Sequence, residues 1–312
     1  MADIYTANPE NFHEIASFAE TEIEKLKETF YSAERAVFYD ACSFQRHAHL
    51  PDREMDLVIA YCKSHKAAVF ILRGILMELA SSGHSLSDSC IRFIKRMASA
   101  GVRVVIFREE YVFDILSVCF SANEKINSYL TWAVRTAVSP ASTIAETLKA
   151  DKKLTAAVIE GKNPKRSDLY YRFFTAVRRR KMPGDNLGEE LIAVCLHILS
   201  HLPGLSDGKL CVITDDKGAA GKIDSVMKKT NPRNRGVGIM LFSTPKLVQH
   251  MFREHMALSE DEMVTLLSQG TSGNIVVMGI TAYDLEVNSK ISMTAEDLAR
   301  RIMEPNGINI VF

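Results

Sequence analysis

Four acidic segments carry the functional groups that a metal centre needs: Asp40 closing the run AVFYD, Glu78 within RGILMELASSG, Glu189 within NLGEELIAV, and Asp215-Asp216 closing KLCVITDD. Carboxylates drawn into one place repel one another and take up protons unless a cation neutralises them. A hard divalent ion, Mg²⁺ or Mn²⁺, is the matching cofactor, because it prefers carboxylate and water oxygens. Such ions generate a hydroxide nucleophile and stabilise the leaving oxygen of an in-line phosphoryl displacement. If Asp40, Glu189 and Asp215 converge, the metal-free protein holds uncompensated like charges, and Asp40→Asn or Asp215→Asn should raise its melting temperature. Taken singly, an acid is more ordinarily a helix cap or a solvated group, and Glu189, in a first helical turn, gains dipole stabilisation without any metal. Adjacent acids at a strand mouth repel each other, so Asp215-Asp216 fits that role least.

Other reactive side chains offer less. His47 and His49 form an HAH sequence, but the paired histidines of an amidohydrolase sit on a barrel strand with further His and Asp ligands. Here they are expected in a polar loop, at the surface. The six cysteines include no CxxC pair and lie mostly in apolar stretches, as reduced core thiols do. Cys42 has no recognisable base partner to make it a nucleophile. Three basic runs are candidates for phosphate contact: RRRK (Arg178, Arg179, Arg180, Lys181), KNPKR (162–166) and KKTNPRNR (228–235). Tyr170, Tyr171, Phe173 and Phe174 lie between the first two, and positive charge interleaved with stacking faces is how single-stranded nucleic acid is held. A solvated helix face over a core stripe gives the same pattern. RRRK directly precedes the Glu189 helix and is therefore expected on the rim of the acidic centre.

These residues depend on the elements that carry them. Short apolar runs at 36–40, 66–72, 102–107, 209–216 and 237–245 read as buried strands, and helical periodicities separate them. Strands alternating with helices indicate a parallel sheet covered on both faces. Residues 12–30 place Ile15, Phe18, Ile23, Leu26 and Phe30 at helical spacings, so residues 1–35 are expected to be a helical extension. The core then runs over 36–108 and resumes over 184–257, with a helical insertion at 109–183 and a small mixed α and β appendage at 258–312. The predicted fold class is α/β, a three-layer α/β/α sandwich around a mainly parallel sheet. Equal numbers of basic and acidic side chains, 38 each, give no net charge, which excludes a chain that coats nucleic acid by bulk electrostatics. No secretory pattern opens the chain and no apolar stretch is long enough to span a bilayer, so a cytoplasmic protein without membrane contact is expected.

In their order, FYDACSF, LRGILMELA, NLGEELIAV and VITDDKGAAGKI resemble the motifs of PIN-domain nucleases, over roughly residues 36–108 and 184–250. The resemblance implies a compact sandwich of about five parallel strands and Mg²⁺- or Mn²⁺-dependent hydrolysis of single-stranded RNA, with DNA as the alternative substrate. It makes Asp40, Glu78, Glu189 and Asp215 the metal-centre acids, Asp216 an alternative or additional ligand, and Ser43 and Thr214 polar supports. The helix ahead of the first acid, the long insertion and the appendage depart from the family pattern. They leave substrate choice and regulation open, including a second copy or a protein partner held by the insertion or appendage. Two other classes remain beside the endonuclease: a PIN-like RNA-binding or scaffolding protein without turnover, and a different phosphohydrolase on a doubly wound fold.

Overall fold

The computed structural model describes residues 8–80, 84–137, 142–162, 164–182, 184–228, 236–281 and 284–312. The apolar runs form β1 (Arg35–Tyr39), β2 (Ala67–Leu72), β3 (Arg103–Phe107), β4 (Leu210–Ile213) and β5 (Ile239–Phe242). Every residue of β2 is buried, as a strand covered on both faces requires. All four strand pairs are parallel, in the order β3-β2-β1-β4-β5. Phe38 of β1 stacks on Phe70 of β2 at 5.2 Å and meets Phe107 of β3 edge-on at 6.2 Å. Aromatic contacts of this kind run across the strands and tie the sheet to its covering layers.

Helix α1 (Ile23–Ser32) precedes the sheet; α2 (Ala41–Ala48) and α3 (Asp52–Ser64) join β1 to β2, and α4 (Arg73–Leu79) and α5 (Asp88–Ser99) join β2 to β3. The insertion follows as α6 (Val112–Ser117), α7 (Asn123–Ala137), α8 (Thr143–Ala150), α9 (Lys152–Val158) and α10 (Leu169–Arg178), and α11 (Leu187–Leu199) leads into β4. Helix α12 (Lys217–Lys228) joins β4 to β5, and α13 (Thr244–Arg253) follows β5. Parallel crossovers are right-handed, so connections that step outward from β1 and those that step the other way from β4 cover opposite faces. In accord, α2 packs with α3 and α5, while α11 packs with α7 and α12. The molecule is a three-layer α/β/α sandwich.

The start of the chain differs from the expected long helix. Residues 12–14 make one 3₁₀ turn and α1 begins only at Ile23. Between them the Glu20 amide donates to the Val104 carbonyl at 2.8 Å and its carbonyl accepts from the Ile106 amide at 3.0 Å. The segment thus covers the open edge of β3, and backbone pairing with an otherwise bare edge prevails over helical periodicity. The end of the chain forms α14 (Glu260–Ser268), an antiparallel pair β6 (Ile275–Thr281) and β7 (Asp284–Met293), α15 (Ala295–Met303), and β8 (Asn309–Ile310) against β6. It is seated on the core through Gln249 of α13, whose side chain donates to the Ile308 carbonyl at 2.7 Å and accepts from the Ile310 amide at 2.9 Å. Among the described residues, no helix is long and apolar enough to cross a membrane.

Candidate functional site

The strand order reverses at β1 and β4, with β2 and β3 stepping away on one side and β5 on the other. Crossovers leaving such a switch point on opposite faces open a crevice at the carboxyl ends of the two strands. Asp40 follows β1, and Asp215 and Asp216 follow β4. Connectivity alone brings them to one crevice.

Asp40 sits at the N-cap of α2 with extended backbone, φ −80° and ψ 154°, yet its carboxylate makes no capping bond. Its Oδ2 instead accepts from Thr214 Oγ1 at 3.0 Å and from Cys42 Sγ at 2.7 Å, and the residue is only 5% exposed. Desolvation of the thiol, with the Asp40 charge beside it, pushes the Cys42 pKa up, so the sulfur is a hydrogen-bond donor and not a nucleophile. Glu78 of α4 lies against the start of α11: a Cβ on Gly188 would stand 2.7 Å from Glu78 Oε1, which is why glycine suits that position. Lys181 Nζ bridges Glu78 Oε1 at 2.5 Å and Asp185 Oδ1 at 2.7 Å, with its side chain 3% exposed. Burial raises the Glu78 pKa, Lys181 pulls it back, and the charges of Asp40 and Asp185 raise it again, leaving it above its ordinary value. Burial works against the Lys181 charge, but Glu78 and Asp185 outweigh it and raise its pKa.

Asp215 is in the opposite condition. Its Oδ1 accepts from the Thr244 amide at 2.7 Å, and its Oδ2 accepts from Thr244 Oγ1 at 2.7 Å and Ser43 Oγ at 3.0 Å, with Arg46 Nη1 at 3.3 Å. Burial raises its pKa, but Arg46, His47 and the Thr244 donors outweigh that and hold it below the ordinary value. The expectation that Asp215→Asn relieves repulsion is therefore reversed, because the carboxylate is already paired with a cation and satisfied by donors. Ser43 supports Asp215, donating to its carboxylate and accepting from its amide at 2.7 Å. Thr214 supports Asp40 and also accepts from the Asp216 amide at 3.1 Å. Asp216 is exposed, and its Oδ1 accepts from the Gly218 and Ala219 amides at 2.5 and 3.0 Å, a cap for α12. Glu189 is half-buried in the first turn of α11, next to the Gly188 that faces Glu78. Among the described residues, these five acids supply no three ligand oxygens within 4.8 Å of one another; the trio that does meet is His65, His250 and Glu254.

The basic run divides by direction. Arg178 is 3% exposed and its Nη1 is paired with Glu109 and, at 2.7 Å, with Glu110. Glu109 in turn accepts the Gly74 amide at 2.7 Å, so Arg178 ties α10 to the turn after β3 and to α4 and cannot reach a phosphate. Lys181 points into the acidic crevice, and Arg179 and Arg180 are exposed. The stacking expectation is corrected likewise: Tyr170, Phe173 and Phe174 are core residues, and Tyr171 alone of the four is exposed, at 53%. In KNPKR, Lys162 pairs with Glu160 and Arg166 with Asp168 at 2.7 Å each, a solvated face. The run at 228–235 lies outside the described side chains. His47 is no surface residue either; it is buried on α2, bonded to Tyr39 Oη and Thr244 Oγ1 at 3.0 Å each, and burial lowers its pKa to about 4. His49, the C-cap of the same helix, is exposed.

Lys181 as a partner of Glu78, and Asp185 and Arg46 as members of the crevice, were not expected from the sequence. The spacing of Lys181 and Asp185, four residues apart at the mouth of α11, was the available signal. No family model, no curated protein and no solved structure matches this chain.

Proposed function

We propose that this chain is a PIN-like, metal-dependent endonuclease acting on single-stranded RNA, with its centre on Asp40 and Glu78. The observation that carries this reading is Asp40 itself. It is a nearly buried carboxylate at the switch point of a doubly wound sheet, placed to cap a helix, not capping it, and near enough to Glu78 to raise that residue's pKa. Mg²⁺ is commonly held by one or two carboxylates with water completing its shell, so Asp40 with Glu78 is a sufficient donor pair. Glu189, in the first turn of α11, and the exposed Asp216 after β4 are the further acids this reading draws on, whereas Asp215, with both oxygens already engaged, is a positioning residue. A bound ion would supply a hydroxide nucleophile and charge for the leaving oxygen. The protein's own part is to hold Asp40 by Thr214 and Cys42, offset part of the burial cost of Glu78 through Lys181, and fix the two strand ends together through Ser43, Asp215 and Thr244. Arg179 and Arg180 are the exposed members of the run available to backbone phosphates. A cytoplasmic location belongs to the same proposal.

A second reading is favoured by Lys181. Its ammonium already pairs with Glu78 and Asp185, which suits a PIN-like protein that binds RNA or scaffolds a partner without cutting. Labelled single-stranded RNA and DNA, incubated with Mn²⁺, Mg²⁺ or EDTA, separate the two. The nuclease yields 5′-phosphate and 3′-hydroxyl ends only with metal, and Asp40→Asn abolishes cutting. Cleavage in EDTA, or undiminished in Asp40→Asn, rejects this centre; binding without cleavage selects the second reading. Release of phosphate from small phosphoesters instead indicates a different phosphohydrolase.

A further inference from the structure

At the other end of the sheet, the last turns of α3 and α13 bring together side chains that the acidic crevice does not use. His65 is the C-cap of α3, and Glu254 is the C-cap of α13, one turn beyond His250. His65 Nε2 lies 2.7 Å from Glu254 Oε2, and His250 Nδ1 lies 3.3 Å from Glu254 Oε1. The ligand atoms of all three fall within 4.8 Å of one another. A tetrahedral zinc ion with bonds of about 2.0–2.1 Å spaces its ligand atoms roughly 3.3 Å apart, so only small side-chain adjustments separate this trio from a coordination shell.

We infer that His65, His250 and Glu254 form a binding site for a borderline divalent transition-metal ion, zinc by preference, that ties the end of α3 to the end of α13. The ligand chemistry sets the class: two imidazoles and one carboxylate select zinc or its first-row neighbours over Mg²⁺ and Ca²⁺. The rings are already oriented. Tyr61 packs edge-on against His65 at 4.5 Å and His250 at 5.7 Å, and Phe242 also packs edge-on against His250 at 5.4 Å. The Tyr61 hydroxyl lies 3.2 Å from His250 Nδ1 and accepts from Arg35 Nη1 at 2.9 Å. Arg35 and Lys246 are the cations that act on His250, and Glu254 is the opposing anion. A metal ion needs both imidazoles in their neutral form. Three protein ligands leave one position for an exchangeable group. His65 and Arg35 also line an adjoining cleft of about 540 Å³ from which such a group can enter. The inference stands apart from the nuclease reading, since it shares none of its residues.

The test uses the full chain, stripped with a chelator and titrated with Co²⁺ and then Zn²⁺. The expected result is a visible d–d band that saturates at one Co²⁺ per chain and is bleached by Zn²⁺, with a rise in melting temperature on Zn²⁺ addition. His250→Gln and Glu254→Gln should each weaken Zn²⁺ binding by roughly 100-fold or more, at least what losing an outer hydrogen-bond partner of a ligand costs. Glu254 is partly exposed, so Glu254→Gln keeps the fold, and its metal-free melting curve verifies that. Asp40→Asn should retain the band unchanged. A band absent from the wild type, surviving both ligand substitutions, or lost in Asp40→Asn overturns the assignment; in the last case the ion belongs to the acidic crevice.

Discussion

Asp215 and the pair Asp40–Glu78 occupy the same end of the same sheet, yet their carboxylates are provided for in opposite ways. Asp215 has three hydrogen-bond donors and a guanidinium, and its pKa is held down. Glu78 has one buried lysine, shared with Asp185, and its pKa is held up by burial and by the Asp40 charge. A satisfied carboxylate is a brace. One left short of compensation is where a cation can gain most. Position at a strand end therefore brings acids together, and the hydrogen-bond donors around each acid decide which of them are available.

Asp215 gives the sharpest way to break this contrast. Asp215→Ala should cost about 3 kcal/mol in denaturant unfolding, since it strands Arg46 and unpairs Ser43 and Thr244 in a largely buried place. Arg46 also donates to the Leu267 carbonyl at 2.5 Å, so loosening should extend to the C-terminal appendage and show as faster amide exchange in α14. Asp40→Asn should act in the other direction, stabilising the metal-free protein on the order of 1 kcal/mol by removing a charge that faces Glu78. Equal destabilisation by both substitutions would erase the distinction. The next effect in size concerns the internal cation. Lys181→Met should cost about 2 kcal/mol at neutral pH by leaving Glu78 and Asp185 without their partner. Mn²⁺ should then restore more stability to this variant than it adds to the wild type, as an ion that binds only the folded state does. If Mn²⁺ stabilises neither protein, the crevice is not a cation site.

Much of the fold was legible. Runs such as KAAVFIL are too apolar and too short to be anything but buried strands, and their alternation with helices leaves few topologies. That Asp40 and the end of β4 share one crevice needed the strand order, in which β1 and β4 are neighbours. What was not legible depended on contacts between distant residues. Nothing in the sequence says that Arg46 and Thr244, on helices separated by nearly the whole sheet region, would meet on Asp215. Nor does a run of four basic residues reveal that its first and last members turn inward, because a surface helix face and a half-buried one share the same spacing. The helical extension expected over residues 1–35 differs from the fold for a related reason: apolar residues at helical intervals also suit a chain laid along a sheet edge.

The two acidic groups should also respond oppositely to pH. Glu78 has a folded pKa above its ordinary 4.5, so its contribution to stability is fully present below that value and is lost as pH rises through the folded pKa. Asp215 has a folded pKa below its ordinary 3.8, so its contribution is present above that value and is lost as pH falls through the folded pKa. Subtracting the unfolding free energy of Glu78→Gln from that of the wild type should give a difference that declines as pH is raised from about 4.5. The same subtraction with Asp215→Asn should decline as pH is lowered from about 3.8. Parallel curves would mean that both acids belong to one electrostatic unit.

The smallest effect on the fold, and the one that bears on the ligand, comes from the basic run. Arg178 and its neighbours Arg179 and Arg180 are alike in sequence but differ in surroundings, one buried against Glu109 and Glu110 and the other two exposed. Arg179→Ala with Arg180→Ala should leave the melting temperature where it is and weaken binding of a single-stranded RNA oligonucleotide. Each phosphate contact to a single strand contributes a slope of about −0.7 to the dependence of log K on log salt. The double variant should therefore flatten that slope by about 1.4. Arg178→Ala should do the reverse, lowering the melting temperature while the folded fraction keeps the wild-type salt slope. Measuring binding between low and moderate salt for the three proteins separates the roles, since a structural arginine lowers the amount of competent protein without altering its charge contacts. An unchanged slope in the double variant would mean that the exposed pair is an ordinary solvated surface, and that RNA, if bound, lies along another path into the crevice.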